Sequence, residues 1–121
     1  QSLSSGFYKG RRENKMEIND MIEGDVHIFK LIGRLDSGAS PEFDRKISQA
    51  VDGGDTCFLI DFENLEYISS AGLRVLRRIH KKVTPSSGKV MGCNMMASVK
   101  ELFEVTGFDA FVLIQSDRKN A

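Results

Sequence analysis

Cys57-Phe58-Leu59-Ile60-Asp61-Phe62, followed by Tyr67-Ile68-Ser69-Ser70-Ala71-Gly72-Leu73, decides how this chain folds. Apart from Asp61, the first run is apolar on both faces, as a central parallel strand covered from two sides would be. The second run reads as a tight turn whose two hydroxyls open a helix. From Ser70 to Val83, at about 100° per residue, Leu73, Val75, Leu76, Ile79 and Val83 fall on one side. Arg74, Arg77, Arg78, Lys81 and Lys82 fall on the other, and Pro85-Ser86-Ser87-Gly88 ends the helix. The small residues Ala71 and Gly72 leave room for another molecule to approach, and a helix start presents unpaired N–H groups and a positive dipole end to it.

Working toward the N-terminus, Gly53-Gly54 closes an earlier helix in which Phe43, Ile47, Ala50 and Val51 recur at helical spacing. Ser40 is its expected N-cap and Pro41 its first helical residue. Gly33 to Gly38 reads as a loop. Before it, Met16 to Ile22 and Val26 to Ile32 flank Glu23-Gly24-Asp25, the pattern of a β-hairpin. Toward the C-terminus, Lys89 to Met95 is an expected strand, and Ala97 to Thr106 a helix with Val99, Leu102 and Phe103 inward. Gly107 stops that helix, and Phe111 to Ile114 is a short last strand. The order β-β-α-β-α-β-α-β predicts one α/β domain: a mixed, mostly parallel sheet with an N-terminal hairpin and helices packed on it. Residues 1–15, with two Ser pairs, Arg11-Arg12 and little apolar periodicity, are expected to be a flexible extension or an expression remnant. Met16 is then a candidate native start, and residues 16–121 form the domain.

At 121 residues and 40% hydrophobic content the chain can bury a core without staples. Lys plus Arg and Asp plus Glu both number 17, so it lacks the global basic field that nucleic-acid binding uses. No run approaches the roughly 20 apolar residues that span a bilayer, and the N-terminus lacks the apolar core of a signal peptide. A soluble, cytoplasmic protein that does not insert in a membrane is expected. Cys57 and Cys93 sit in apolar runs and read as buried, reduced thiols.

Metal binding has little support, because His27 and His80 have no second His, Cys or carboxylate at ligand spacing; both read as packed or solvated. No base adjoins Ser69-Ser70, and the glycine spacing of a nucleophile elbow or a phosphate loop is missing, so neither catalysis nor a cofactor is expected. Asp61 occupies the place of the phospho-accepting aspartate of response-regulator receiver domains. Ile22-Glu23 offers one acid where such domains need a pair, and Phe111 to Ile114 carries no Lys. Asp61 therefore reads as a strand-end residue, capping or solvated, since an isolated carboxylate makes a poor Mg²⁺ site.

Three segments together resemble STAS domains, most closely the bacterial anti-sigma factor antagonists. Gly33-Arg34-Leu35-Asp36 is similar to the family's turn after the second strand, and Asp61 to Leu76 to its signature strand, loop and helix. Ser98 to Phe103 with Gly107-Phe108 is similar to the later helix and its stop. The resemblance covers about Met16 to Ile114. It implies that Ser70, three residues before Leu73, is the phospho-accepting residue. Ser69 stands where the family often has Asp, Ala71 where it often has a second hydroxyl, and the chain stops short of the longer final helix of many members.

The resemblance further implies a partner: an anti-sigma factor with an ATP-dependent serine kinase fold, which binds the nucleotide itself. The expected contact surface comprises Asp36 and Ser37, the turn Ser69, Ala71 and Gly72, and Arg74 one helical turn on. Phosphorylation would break the complex and so regulate transcription by a sigma factor. The alternative is a STAS module that is never phosphorylated and docks on a transporter or sensory complex as a scaffold or ligand-binding unit. Oligomeric state is not legible in the sequence.

Overall fold

The computed structural model describes residues 16–110 and 112–115. The expected N-terminal extension, Phe111 as the start of the last strand, and the C-terminal residues 116–121 lie outside them. Strand β1 (Glu17–Glu23) pairs antiparallel with β2 (Val26–Leu35). Helix α1 (Ser40–Asp52) crosses to β3 (Cys57–Ile68), and α2 (Ser70–Val83) crosses to β4 (Lys89–Cys93). Helix α3 (Ala97–Thr106) leads to β5 (Leu113–Gln115). The pairings β2–β3, β3–β4 and β4–β5 are all parallel, and the five strands stand in the sheet in chain order. This is the mixed, mostly parallel α/β sheet that the hydrophobic pattern predicts.

One face of the sheet carries the main core. Phe29 and Leu31 of β2, Phe58, Ile60 and Phe62 of β3 and Val90 of β4 meet Phe43 and Ile47 of α1 and the buried stripe of α2. That stripe is Leu73, Val75, Leu76, Ile79 and Val83, the side expected from its periodicity. Val99 and Phe103 bring α3 onto the same face, with the Phe103 ring edge-on to Phe62 at 5.7 Å between centroids. Leu102 packs only partly. Gly107 takes φ 79° at the end of α3, the left-handed cap that stops it. A smaller cluster of Ile28, Leu59, Met91 and Cys93 belongs to the opposite face.

Several boundaries differ from the sequence reading, each for a tertiary reason. Gly33-Arg34-Leu35 is not loop: β2 continues through it because β3 runs on to Ile68 and pairs with it. Register shifts near Lys30 and Gly33, and φ 109° at Gly33, absorb the irregularity. Ser40 is not the N-cap; that position falls to Ala39, and the Asp36 Oδ1 accepts the Ala39 N–H at 2.9 Å. Ser40 is the first helical residue, and its hydroxyl donates to the Asp36 carbonyl at 2.8 Å. Strand β4 stops at Cys93, short of the expected Met95, because Asn94 takes φ 59°. Cys93 is buried, whereas Cys57 is only half-buried.

Asp61 is not a solvated strand end. It lies inside β3 at 2% exposure, where its Oδ1 accepts the Glu63 N–H at 3.0 Å and the Asn94 side-chain amide at 3.1 Å. A buried carboxylate with these donors ties β3 to the turn after β4.

His27 is also more than a packed ring. Its Nε2 lies 2.7 Å from Asp20 of β1 and its Nδ1 2.8 Å from Asp55, before β3, while the ring stacks on Phe29 at 4.5 Å. No sequence spacing shows this arrangement, because strand pairing and the α1–β3 connection bring the two acids in. Burial works against the imidazolium, but the hydrogen bonds and charges of Asp55 and Asp20 outweigh it and raise the pKa above 6.5. Only the cation has an N–H on both ring nitrogens, so only the cation donates to both carboxylates. The stabilisation is therefore complete below about pH 6.5 and is lost as pH rises through the higher folded-state value. Urea midpoints measured upward from pH 6.5 should fall in the native protein and fall less in His27→Gln; equal slopes would refute the linkage.

Candidate functional site

The Ser69–Ser70 turn sits between the end of β3 and the start of α2. The Ser69 N–H donates to the Leu35 carbonyl at 2.9 Å, which fixes the turn against the end of β2. The Ser69 hydroxyl oxygen accepts the Gly72 N–H at 3.2 Å, making Ser69 the N-cap of α2. The two hydroxyls thus differ in position. Ser69 is half-buried and engaged with the backbone, while Ser70 stands exposed on the first turn.

Gly72 is buried, and a Cβ there would fall 2.7 Å from Leu35 Cδ2 and 3.0 Å from Ile68 Cγ1. Its absence lets α2 start directly above the ends of β2 and β3. Gly72 therefore contributes to any docking surface through this close approach and not through contact. Ala71 is half-buried, and Arg74 is exposed one turn along.

Asp36 and Ser37 come from the β2–α1 connection. Asp36 is half-buried because its side chain and carbonyl hold the start of α1; Ser37 is exposed. Ser37, Ala71 and Arg74 line one groove between α1 and α2, so the structure brings these three expected contact residues together. Ser69 and Gly72 underlie the turn beside them.

A family model described as the STAS domain matches residues 17–121. The chain belongs to the STAS domain family. Among its relatives is a Bordetella bronchiseptica protein named "Putative anti-sigma factor antagonist BtrV", 31% identical over 102 residues, which are 84% of this chain and 87% of that one. The fold is shared with an anti-sigma factor antagonist from Mycobacterium paratuberculosis at TM-score 0.80 and 17% identity, over 88% of this chain and 91% of that one. It is also shared with the Bacillus cell fate determinant SpoIIAA in its phosphorylated form, at TM-score 0.67 and 20% identity, over 87% and 95% of the two chains.

In this STAS domain two features near the turn escaped the sequence reading. The Arg34 guanidinium carbon lies 4.4 Å from the centre of the Tyr67 ring, and Tyr67 is 39% exposed. The signal was present: each stands one residue before a buried strand-end residue, Leu35 and Ile68, so both point to the other face. The second feature is the α1 wall of the groove, Ser40, Pro41 and Asp44, which meets α2 through non-local packing that no motif records. Among the described residues no group of three His, Cys, Asp or Glu is placed to hold a metal ion. No described helix is long and apolar enough to cross a membrane.

Proposed function

We propose that this STAS domain is an anti-sigma factor antagonist, acting in the cytoplasm on an anti-sigma factor that carries serine kinase activity and binds the ATP. It docks through Asp36 and Ser37, the Ser69 to Gly72 turn and Arg74, and so frees a sigma factor. Phosphorylation of Ser70 ends the interaction. The observation that carries this reading is the division of labour between the two serines: Ser69 is engaged as the N-cap, and Ser70 is exposed on the first helical turn that follows. The names of BtrV and of the structural neighbours support the same role.

The energetics favour release over unfolding. A phosphoserine adds about −1.5 to −2 charge at pH 7, which the start of α2 accommodates with roughly 0.3–1 kcal/mol of favourable dipole interaction. At a closed interface an unpaired buried charge costs about 2–5 kcal/mol of binding. The second magnitude exceeds the first, so the complex gives way while the domain keeps its fold. Catalysis by this chain has no part in the cycle.

Incubation with ATP and the cognate anti-sigma factor, followed by intact-mass and peptide mass spectrometry, tests the acceptor. One phosphate on Ser70 is expected, and none on the Ser70→Ala protein. Phosphate on Ser69, on Thr56 or nowhere would overturn the assignment.

A further inference from the structure

The groove between α1 and α2 extends well beyond Ser70. It has a volume of about 500 Å³ and is lined by Ser37, Ser40, Pro41 and Asp44 on one side and by Ala71, Arg74, Val75, Arg77, Arg78 and Lys81 of α2 on the other. From Arg74 to Lys81 the wall runs about 10 Å along the helix at 1.5 Å per residue.

Its charge is one-sided. The lining residues include four cations, Arg74, Arg77, Arg78 and Lys81, and one acid, Asp44, a formal net charge of +3 for the lining itself (four cations less one carboxylate) in a chain whose net charge is zero. Asp44 is already occupied: Arg78 forms an ion pair with it, and also donates to Ser48 at 3.3 Å. That pair bridges the two helices. Arg74 and Lys81 make no ion pair with any described residue.

A merely solvated cationic face would be convex and would spread its charges outward. Here the cations stand along a concave wall that opens at Ser37 and Ala71, two of the residues of the docking surface. We infer that this groove receives an acidic segment of the same partner, which continues from the Ser70 contact along α2 and brings carboxylates to Arg74 and Lys81. The inference rests on the function proposed above and adds the chemistry of the partner's second contact. Charge complementarity selects an acidic segment over an apolar one, because Arg74 and Lys81 would be stripped of water without compensation by an apolar occupant.

Lys81 separates this inference from the phosphorylation reading, since it lies three turns from Ser70. With the cognate anti-sigma factor as the probe, Lys81→Glu should weaken binding at least about threefold and reduce its salt dependence. Lys82→Glu, an equal charge change off the groove, should not. Carbodiimide coupling of the complex should join the Lys81 amine to a Glu or Asp of the partner. If Lys81→Glu binds like the native protein, or if no Lys81 cross-link forms, the groove inference fails while Ser70→Asp still binds weakly. If instead Ser70→Asp binds normally and Lys81→Glu does not, the phosphorylation reading fails and the groove stands.

Discussion

Ser70→Asp should bind the anti-sigma partner about 30-fold or more weakly than the native protein, the equivalent of the 2 kcal/mol low end for an unpaired charge closed inside an interface. The same substitution should leave thermal stability unchanged or slightly higher. An acid in the first turn of α2 faces the positive end of the helix and contributes roughly 0.3–1 kcal/mol. Ser69 remains the N-cap throughout, so no backbone donor is orphaned. Ser70→Ala supplies the control that separates charge from shape, because it removes the hydroxyl without adding an anion. Calorimetric titration and a melting curve on each variant are sufficient. Equal losses for Ala and Asp would mean that the contact depends on the hydroxyl itself, and the switch would have to be abandoned.

Gly72→Val should destabilise the domain by about 3 kcal/mol, the upper part of the range for overpacking a close-fitting site. The first added carbon already lies 2.7 Å from Leu35 Cδ2 and 2.8 Å from Leu35 Cγ. Gly72→Ala should cost far less. Ala adds one carbon at the contact where Val adds three, and replacing Gly inside a helix returns about 1 kcal/mol of propensity, offsetting part of the clash. Urea unfolding of the two variants distinguishes the cases. A Val variant as stable as the native protein would show that α2 can lift from the strand ends, and the Ser70 turn would then not be rigidly placed.

The general plan of the fold was legible because its signals are periodic. The stripe on α2 needed only the spacing of Leu73, Leu76, Ile79 and Val83, and the end of α3 needed only Gly107. What stayed hidden depends on pairing between distant residues. The strand character of Gly33 to Leu35 exists because β3 is longer than its apolar core suggests, and the polar stretch Glu63 to Glu66 gave no reason to extend it. Asp61 looked like a strand end for the same reason. The acids around His27 lie 7 and 28 residues away along the chain. In the proposed site, the Ser70 turn and Arg74 could be singled out from the sequence because those residues are nearly contiguous at one helix start. The groove wall from α1 has no counterpart in any motif, so nothing in the sequence sets Lys81 apart from its neighbour Lys82 on the polar side of α2.

The strand order of the sheet has a consequence for how the chain is made. Among the described strands, each one after β1 pairs with the one synthesised just before it, so none of them must wait for a later partner to leave the ribosome. The β1–β2 hairpin closes the shortest loop, β3 adds to it once α1 has been made, and the Ser70 turn takes its place when Leu35 and Ile68 are already paired. Assembly from one edge strand to the other then places the proposed acceptor serine midway through synthesis, before β4 and β5 exist.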